Sequence, residues 1–344
     1  MEKDITIKDV AKLANVSIAT VSRVVNDNYN VSGKLKDRVL SAIQELNYVP
    51  NSIARSLKCD HTLTIGLVVS DISNSFFTAL ARSAEDIIMR KGYNLIVCST
   101  DDNKDKESSY LQLLLEKKVD GIILNTTGKN DELITSISHN IPIALCSRKV
   151  MNSEFIGDFV ESDNINGVML LTKHLLDQGH KRIAVINGQQ DLSTSLERFR
   201  GFKIAMEEFG ISVSNDYLYN YNGNFNKSDS GEDAMKYVLA LDPPPTAVIT
   251  MNNELTLGVI RYCMKNKIDI PKDISICSYG EISNSDLMFV QPSYVPLDPI
   301  SMGTTLAEMV IERISKISNS SNREVRFRST LVSGNGVAKF DEIK

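Results

Sequence analysis

The sequence predicts an all-α head followed by a two-lobed α/β core built on parallel sheets. Three observations carry that reading. The first sixty residues show short helical patterns and tight turns but no strand-like run. From Thr64 onward, apolar β-type runs alternate with helix-length amphipathic stretches, the pattern of parallel strands covered on both faces. The alternation also comes as two series, with a break near 148–162.

Length and composition fit this. A chain of 344 residues suits two or three domains, and 42% hydrophobic with 24% charged residues is ordinary for a water-soluble protein. No run of about 18 apolar residues occurs, so no membrane span or membrane partner is expected. The start, MEKDITIKDV, lacks the apolar stretch and small-residue cleavage site of a secretory signal, which points to a cytoplasmic protein. Cys59, Cys98, Cys146, Cys263 and Cys277 are odd in number and show no CxxC spacing. Reduced thiols are therefore expected, with no metal, cofactor or disulfide framework. Residues 1–61 carry nine Lys/Arg against seven Asp/Glu, leaving 29 against 36 in the remainder. A mildly basic head on an acidic body confines any nucleic-acid contact to the head.

In the head, Thr6 with Asp9 three residues on is a capping-box-like helix start. Val10, Ala11, Leu13 and Ala14 follow on one helical face. Asn15 then supplies a left-handed turn position, which Asn tolerates better than most residues. Ser17 caps a second helix, with Thr20 three on and Val21, Val24 and Val25 facing inward. That leaves Ser17, Ile18, Ala19, Thr20, Ser22 and Arg23 outward. A third helix over roughly 32–46 closes the core with Val39, Leu40, Ile43 and Leu46. Two short helices joined this way form a helix-turn-helix, whose second helix presents its first residues to a major groove. The same pair would serve equally in a small helical bundle with no DNA role.

Beyond the head, the expected strands are 64–70, 93–99, 120–125 and 141–147, then 182–187, 247–251 and 274–279. Helices are expected over 76–91, 105–118, 130–139, 165–178, 197–209, 229–241 and 254–267. The prolines at 243–245 stop a helix before a strand, and SNSSN (318–322) reads as a polar loop.

TIKDVAKLANVSIATVSRVVN (6–26) followed by NYVPNSIARSLK (47–58) resembles the lactose/galactose repressor (LacI/GalR) family of bacterial regulators. The resemblance continues in order through IGLVVSDISNSFF (65–77), VDGIIL (119–124), IPIAL (141–145), Asp163–Asn164, HLLDQGHKRIAVI (174–186), RFRGF (198–202), PTAVI (245–249), IPKDISI (270–276) and VRFRSTLVSG (325–334). Each string is weak alone, but their joint order is specific.

The resemblance implies a helix-turn-helix DNA-binding domain over 1–50, a hinge helix and linker over 51–61, and a ligand-binding core over 62–344 like the periplasmic sugar-binding proteins. Lobe 1 would take about 62–161 and 290–322, and lobe 2 about 162–289 and 323–344. It implies a homodimer on a palindromic double-stranded operator, since two-fold protein symmetry matches two half-sites. The expected DNA-binding set is Thr6, Ser17, Ile18, Ala19, Thr20, Ser22, Arg23, Asn26, Tyr48, Asn51, Ala54, Arg55, Leu57 and Lys58. Leu57 stands where the family inserts an apolar wedge that kinks the minor groove. Arg55 and Lys58 suit phosphates, which position without specifying. Ile18 and Ala19 can offer only apolar contact to bases. The helix over 76–90 is the expected dimer surface of lobe 1, and no apolar heptad tail signals a coiled-coil tetramer.

In open parallel α/β folds ligands sit at the carboxyl ends of strands, and between two lobes the cleft is the default site. The expected effector-binding residues are Asp71, Asn74, Phe76, Asn125, Ser147, Arg148, Thr194, Arg198, Phe225, Asn252 and Glu281. Arg198 precedes RGF, where the family places a ligand-contacting arginine. The family often has Asp where this chain has Ser147, Asn253 and Gly280, and those carboxylates accept bonds from sugar hydroxyls. Their absence leaves Arg148 and Arg198 wanting an anion, which points to a sugar acid or sugar phosphate rather than a neutral sugar. NTTGKN (125–130) and SRKV (147–150) are faintly similar to the ketodeoxygluconate-responsive branch of the family. A pocket that answers to no small molecule is the alternative.

An enzyme is not expected. No GxGxxG follows a strand, and GxxxxGK[ST], HExxH and GxSxG are absent; GNG at 334–336 lacks the third glycine. The four histidines show no metal-ligand spacing. The reading is therefore an allosteric transcription regulator, a repressor on family grounds, of a carbohydrate-utilisation operon. Ligand would shift the angle between lobes and, through attachments near 58–62, the folding of paired hinge helices on DNA.

Overall fold

The structure, a computed structural model, describes residues 5–25, 31–48, 61–221, 229–315 and 321–340. The chain divides into two compact units, Met1–Thr62 and Leu63–Lys344.

In the head unit, α1 (Ile7–Leu13), α2 (Ile18–Val25) and α3 (Gly33–Glu45) enclose Val10, Ala11, Ala14, Val21, Val24, Val39 and Ala42. The Asp9 carboxylate accepts from the Thr6 backbone N–H at 2.9 Å and from its hydroxyl at 2.7 Å, starting α1 as its sequence demands. Asn15 turns the chain at φ 49°. Arg38 of α3 then donates to the carbonyls of Ala14 and Asn15, so the third helix pins the turn between the first two. Two expected core residues point away. Leu13 and Leu40 are 44% and 46% exposed. Leu13 lies about 100° round its helix from the buried Ala14, and Leu40 about 100° from the buried Val39, so each is turned out of the core.

The larger unit holds two sheets. The first contains β1 (Thr64–Val69), β2 (Asn94–Ser99), β3 (Gly121–Leu124), β4 (Ile143–Cys146), β5 (Asp158–Ser162) and β11 (Glu324–Phe327). The second contains β6 (Ile183–Asn187), β7 (Leu218–Asn220), β8 (Ala247–Thr250), β9 (Ser275–Tyr279) and β10 (Ser293–Val295). Among the described residues, the six strands of the first lie in the order β11-β5-β4-β3-β1-β2 and the five of the second in the order β10-β9-β8-β6-β7. All strand pairs within them are parallel.

Alternate residues of each strand feed opposite faces. Ile65, Leu67 and Val69 of β1 meet α4 (Ser75–Arg90) and α11 (Pro299–Ile314). Val68 meets Leu111 and Leu114 of α5 (Lys104–Glu116) and the apolar face of α6 (Asp131–Ser138). In the second lobe, Val185 and Ile249 pack on α7 (Asn164–Asp177) and α8 (Ser193–Glu208). Ala184, Ile186 and Val248 pack on α9 (Asp229–Leu239) and α10 (Asn253–Lys265). α4 and α11 meet at Gly303, where a Cβ would come 2.2 Å from Ser83 Oγ and 2.4 Å from Leu80 O. Only glycine permits that approach.

The seven strands expected from sequence are present within two residues at each end, as are the helices, except that α8 starts four residues earlier. The division between lobes needs correction. The expected division places residues 290–322 in lobe 1 and 323–344 in lobe 2. Instead β10 extends the second sheet beside β9, and β11 extends the first beside β5. The chain therefore passes between lobes three times: after β5, between β10 and α11, and after β11.

Candidate functional site

On the head, the first turn of α2 carries the outward set. Ser17 Oγ accepts from the Thr20 N–H at 3.1 Å and lies 2.9 Å from the Thr20 hydroxyl, so the pair caps the helix. Ser17, Ile18, Ala19 and Arg23 differ in cover from Thr20 and Ser22 only by degree, the whole set lying outside the head core. Ile18 is 46% exposed, an apolar side chain facing outward at the start of a short helix. Thr6 is exposed as well, whereas Tyr48 packs against the head core. Asn26, Asn51, Ala54, Arg55, Leu57 and Lys58 lie outside the described residues, as does Phe225.

Between the lobes of the larger unit lies a cleft of about 730 Å³ including its open mouth. Its lining comes from the carboxyl ends of strands in both sheets: Ser70 after β1, Asn125 after β3, Ser147 and Arg148 after β4, Asn187 and Gly188 at β6, Asn252 after β8 and Tyr279 on β9. The first turns of α8 add Thr194, Ser195 and Arg198. Asn74, Phe76 and Phe77 come from the start of α4. Asn74 accepts from the Phe76 N–H at 2.9 Å, capping α4 at the cleft wall. Ser147 holds a left-handed backbone, φ 61°, in the lining of the cleft.

The two arginines differ in state. Arg148 makes a bidentate pair with Asp102, Nη2 lying 3.3 Å from Oδ2, and its Nη1 also donates to Thr126 O at 3.0 Å. The expectation that Arg148 lacks a carboxylate is thus corrected: Asp102, in the turn after β2, supplies one from within the cleft wall. Arg198 hydrogen-bonds neutral oxygens instead. Its Nε donates to Asn164 Oδ1 at 3.0 Å and its Nη1 to Met251 O, and its guanidinium lies 4.2 Å from the Tyr279 ring centroid. Burial depresses its pKa, only partly opposed by Tyr279 and Glu197. Asn125 donates to Cys146 O at 2.8 Å, leaving its buried carbonyl oxygen unpartnered. The loop 125–130 is held by Glu107, a buried carboxylate that accepts from the Thr127 N–H, the Thr127 hydroxyl and Asn130 at 2.6–2.7 Å.

Of the expected effector residues, Asn74, Phe76, Asn125, Ser147, Arg148, Thr194, Arg198 and Asn252 come together in this cleft. Two do not. Asp71 turns inward and accepts from the Ser73 N–H at 2.8 Å and hydroxyl at 2.7 Å, shaping the turn after β1. Glu281 borders an adjoining hollow, which shares Phe76, Asn253 and Leu297 with the cleft. Asp102, Asn187, Ser195, Met251, Tyr279 and Leu297 escaped sequence reasoning. Asn187, Met251 and Tyr279 end expected strands, so the strand-end rule alone would have found them.

Comparison with known proteins agrees with this geometry. Residues 62–332 match the model for periplasmic binding proteins and the sugar binding domain of the LacI family, and residues 6–51 match that for bacterial regulatory proteins of the lacI family. The HTH-type transcriptional repressor PurR of Aliivibrio salmonicida is 34% identical over 309 residues, 90% of this chain and 92% of the relative. PurR of Photobacterium profundum is 32% identical, covering 95% of this chain and 97% of the relative. Among solved structures, a CelR–cellobiose complex superposes with a TM-score of 0.73 at 25% identity, covering 96% of this chain and 99% of that one. The Lac repressor dimer bound to operator and anti-inducer shares the fold, with a TM-score of 0.83 at 22% identity over 98% and 100% of the chains. No helix among the described residues is long and apolar enough to cross a membrane. The chain belongs to the LacI family of bacterial regulatory proteins, and it is a DNA-binding transcription regulator, not an enzyme.

Proposed function

We propose that this chain is a cytoplasmic, dimeric repressor of a carbohydrate-utilisation operon, and that an acidic, sugar-like effector in the cleft sets its grip on a palindromic operator. The observation that carries the effector class is Arg198. With Arg148 neutralised by Asp102, Arg198 is the cleft cation whose hydrogen-bond partners are neutral, and a carboxylate or phosphate satisfies it best. The amides and hydroxyls of Asn74, Asn125, Ser147, Thr194 and Asn252 suit the hydroxyls of a sugar, with Phe76 beside them as an apolar surface. Ser17, Ile18, Ala19, Thr20, Ser22 and Arg23 on α2 serve as the base-reading surface, supported by Thr6 and Tyr48. Residues 51–61 serve as the hinge, with Leu57 as minor-groove wedge. The PurR relatives, named as transcriptional repressors, support the repressor sense.

Thermal shift of the full-length protein against sugar acids, sugar phosphates, neutral sugars and flat heteroaromatic bases tests the effector class, since only a binder raises the midpoint. A rise with a sugar acid or phosphate is expected. A rise confined to neutral sugars or flat bases overturns it.

A further inference from the structure

Arg148 and Lys149 are consecutive, and so are Glu197 and Arg198. The arginines line the cleft, and their neighbours meet in a separate charge cluster. Lys149 Nζ lies 3.4 Å from Glu161, 3.6 Å from Glu197 and 3.5 Å from Glu324. Arg326 lies 2.8 Å from both Glu161 and Glu324. Glu161 and the β11 residues belong to the first lobe and Glu197 to the second, so this cluster spans the lobe boundary.

Asn164, the first residue of α7, stands between the cluster and Arg198 and is almost wholly buried. Its Oδ1 accepts from Arg198 Nε at 3.0 Å, while its Nδ2 donates to Glu197 at 2.9 Å and to Glu161 at 3.4 Å. The amide can face only one way, because a guanidinium only donates and a carboxylate only accepts. A neutral group with both functions is what separates an arginine from nearby carboxylates without leaving either unsatisfied. Glu197 already attracts the Arg198 charge electrostatically, and the amide stands between them.

We propose that Asn164 is a positioning residue that keeps the Arg198 guanidinium unneutralised and reserves it for a negative group on the effector, while linking it to the inter-lobe cluster of Glu161, Glu197 and Lys149. The assignment deepens the acidic-effector reading and rests on it for the ligand class only. Glu161 faces Glu197 from α8, Lys149 from the segment after β4, Arg326 and Glu324 from β11, Asn164 from α7 and Tyr279 from β9. Its burial, and the charge of Glu197, push its pKa up to about 7. Its ionisation is therefore a signal that Arg198 should feel through the amide.

Nitrogen-15 NMR of arginine-labelled full-length protein reads this without any effector. The Arg198 Nε–H resonance, assigned by its loss in Arg198→Lys, is expected to shift between about pH 5.5 and 8 with a midpoint near 7. That shift should vanish in Glu161→Gln. A resonance that stays fixed across the range, or titrates unchanged in Glu161→Gln, overturns the assignment. Asn164→Asp, of nearly the same shape, is expected to weaken binding of D-gluconate at least tenfold by calorimetry, because it supplies Arg198 with an internal carboxylate. Unchanged gluconate affinity in Asn164→Asp also overturns it. A wild-type protein that binds no sugar acid or sugar phosphate defeats the effector reading alone, and the NMR titration still decides the role of Asn164.

Discussion

Asn74 and Asn253 face each other across the cleft and exchange two hydrogen bonds of 3.2 Å, each amide donating to the other's carbonyl oxygen. Asn74 caps α4 in the first lobe and Asn253 begins α10 in the second, so the pair fastens one lobe to the other. A double-mutant cycle with Asn74→Ala and Asn253→Ala, followed by urea unfolding, should show a coupling of about 0.5–1.5 kcal/mol. Strict additivity would mean that the lobes stand apart in solution.

Asp158 lies wholly buried between two guanidiniums. Arg313 reaches it at 2.7 and 2.8 Å and Arg323 at 2.6 and 3.0 Å. Burial alone would raise its pKa, but the two arginines outweigh burial and hold it below the ordinary 3.8. A depressed carboxylate contributes stability that is fully present above the unfolded value and is lost as pH falls through the folded one. Asp158→Asn should cost about 3–5 kcal/mol at neutral pH, because both arginines lose their charge partner. The cost should shrink below about pH 4, and urea titrations at several pH values measure it.

Arg38 is the tie between α3 and the turn at Asn15. Arg38→Met keeps most of the stem but removes both bonds to backbone carbonyls. It should destabilise the head by about 1–3 kcal/mol and weaken operator binding. The main thermal transition of the larger unit should not move, as followed by circular dichroism.

Leu57 lies outside the described residues, and its role as wedge rests on the family resemblance. Leu57→Ala should reduce affinity for a selected palindrome at least tenfold while leaving binding to random duplex nearly unchanged, because unstacking a base step is needed only in the bent complex. Equal losses in fluorescence anisotropy on both duplexes would refute the wedge.

Much of this fold could be read in the chain itself because burial on both faces writes strands such as IGLVV and GIIL as unbroken apolar runs. What escaped was polar for a reason found far along the chain. β5 reads DFVES, yet all five residues are buried. Its two carboxylates meet Arg313, Arg323 and Arg326, all more than 150 residues later. β7 and β10 are three residues long, too short for any period to show. In the cleft, residues at strand ends were accessible to reasoning because topology alone puts them there. Asp102 was not, since only the folded chain brings it to Arg148 and turns an expected second cation into a neutral pair.

The exchange of β10 and β11 between sheets has a mechanical meaning. Two bodies joined by three crossings of backbone behave like a door hung on three pins: tilting stays cheap, while sliding and parting would tear covalent chain or sheet. A single proteolytic nick at one of the pins should therefore leave the halves hung together and still able to swing.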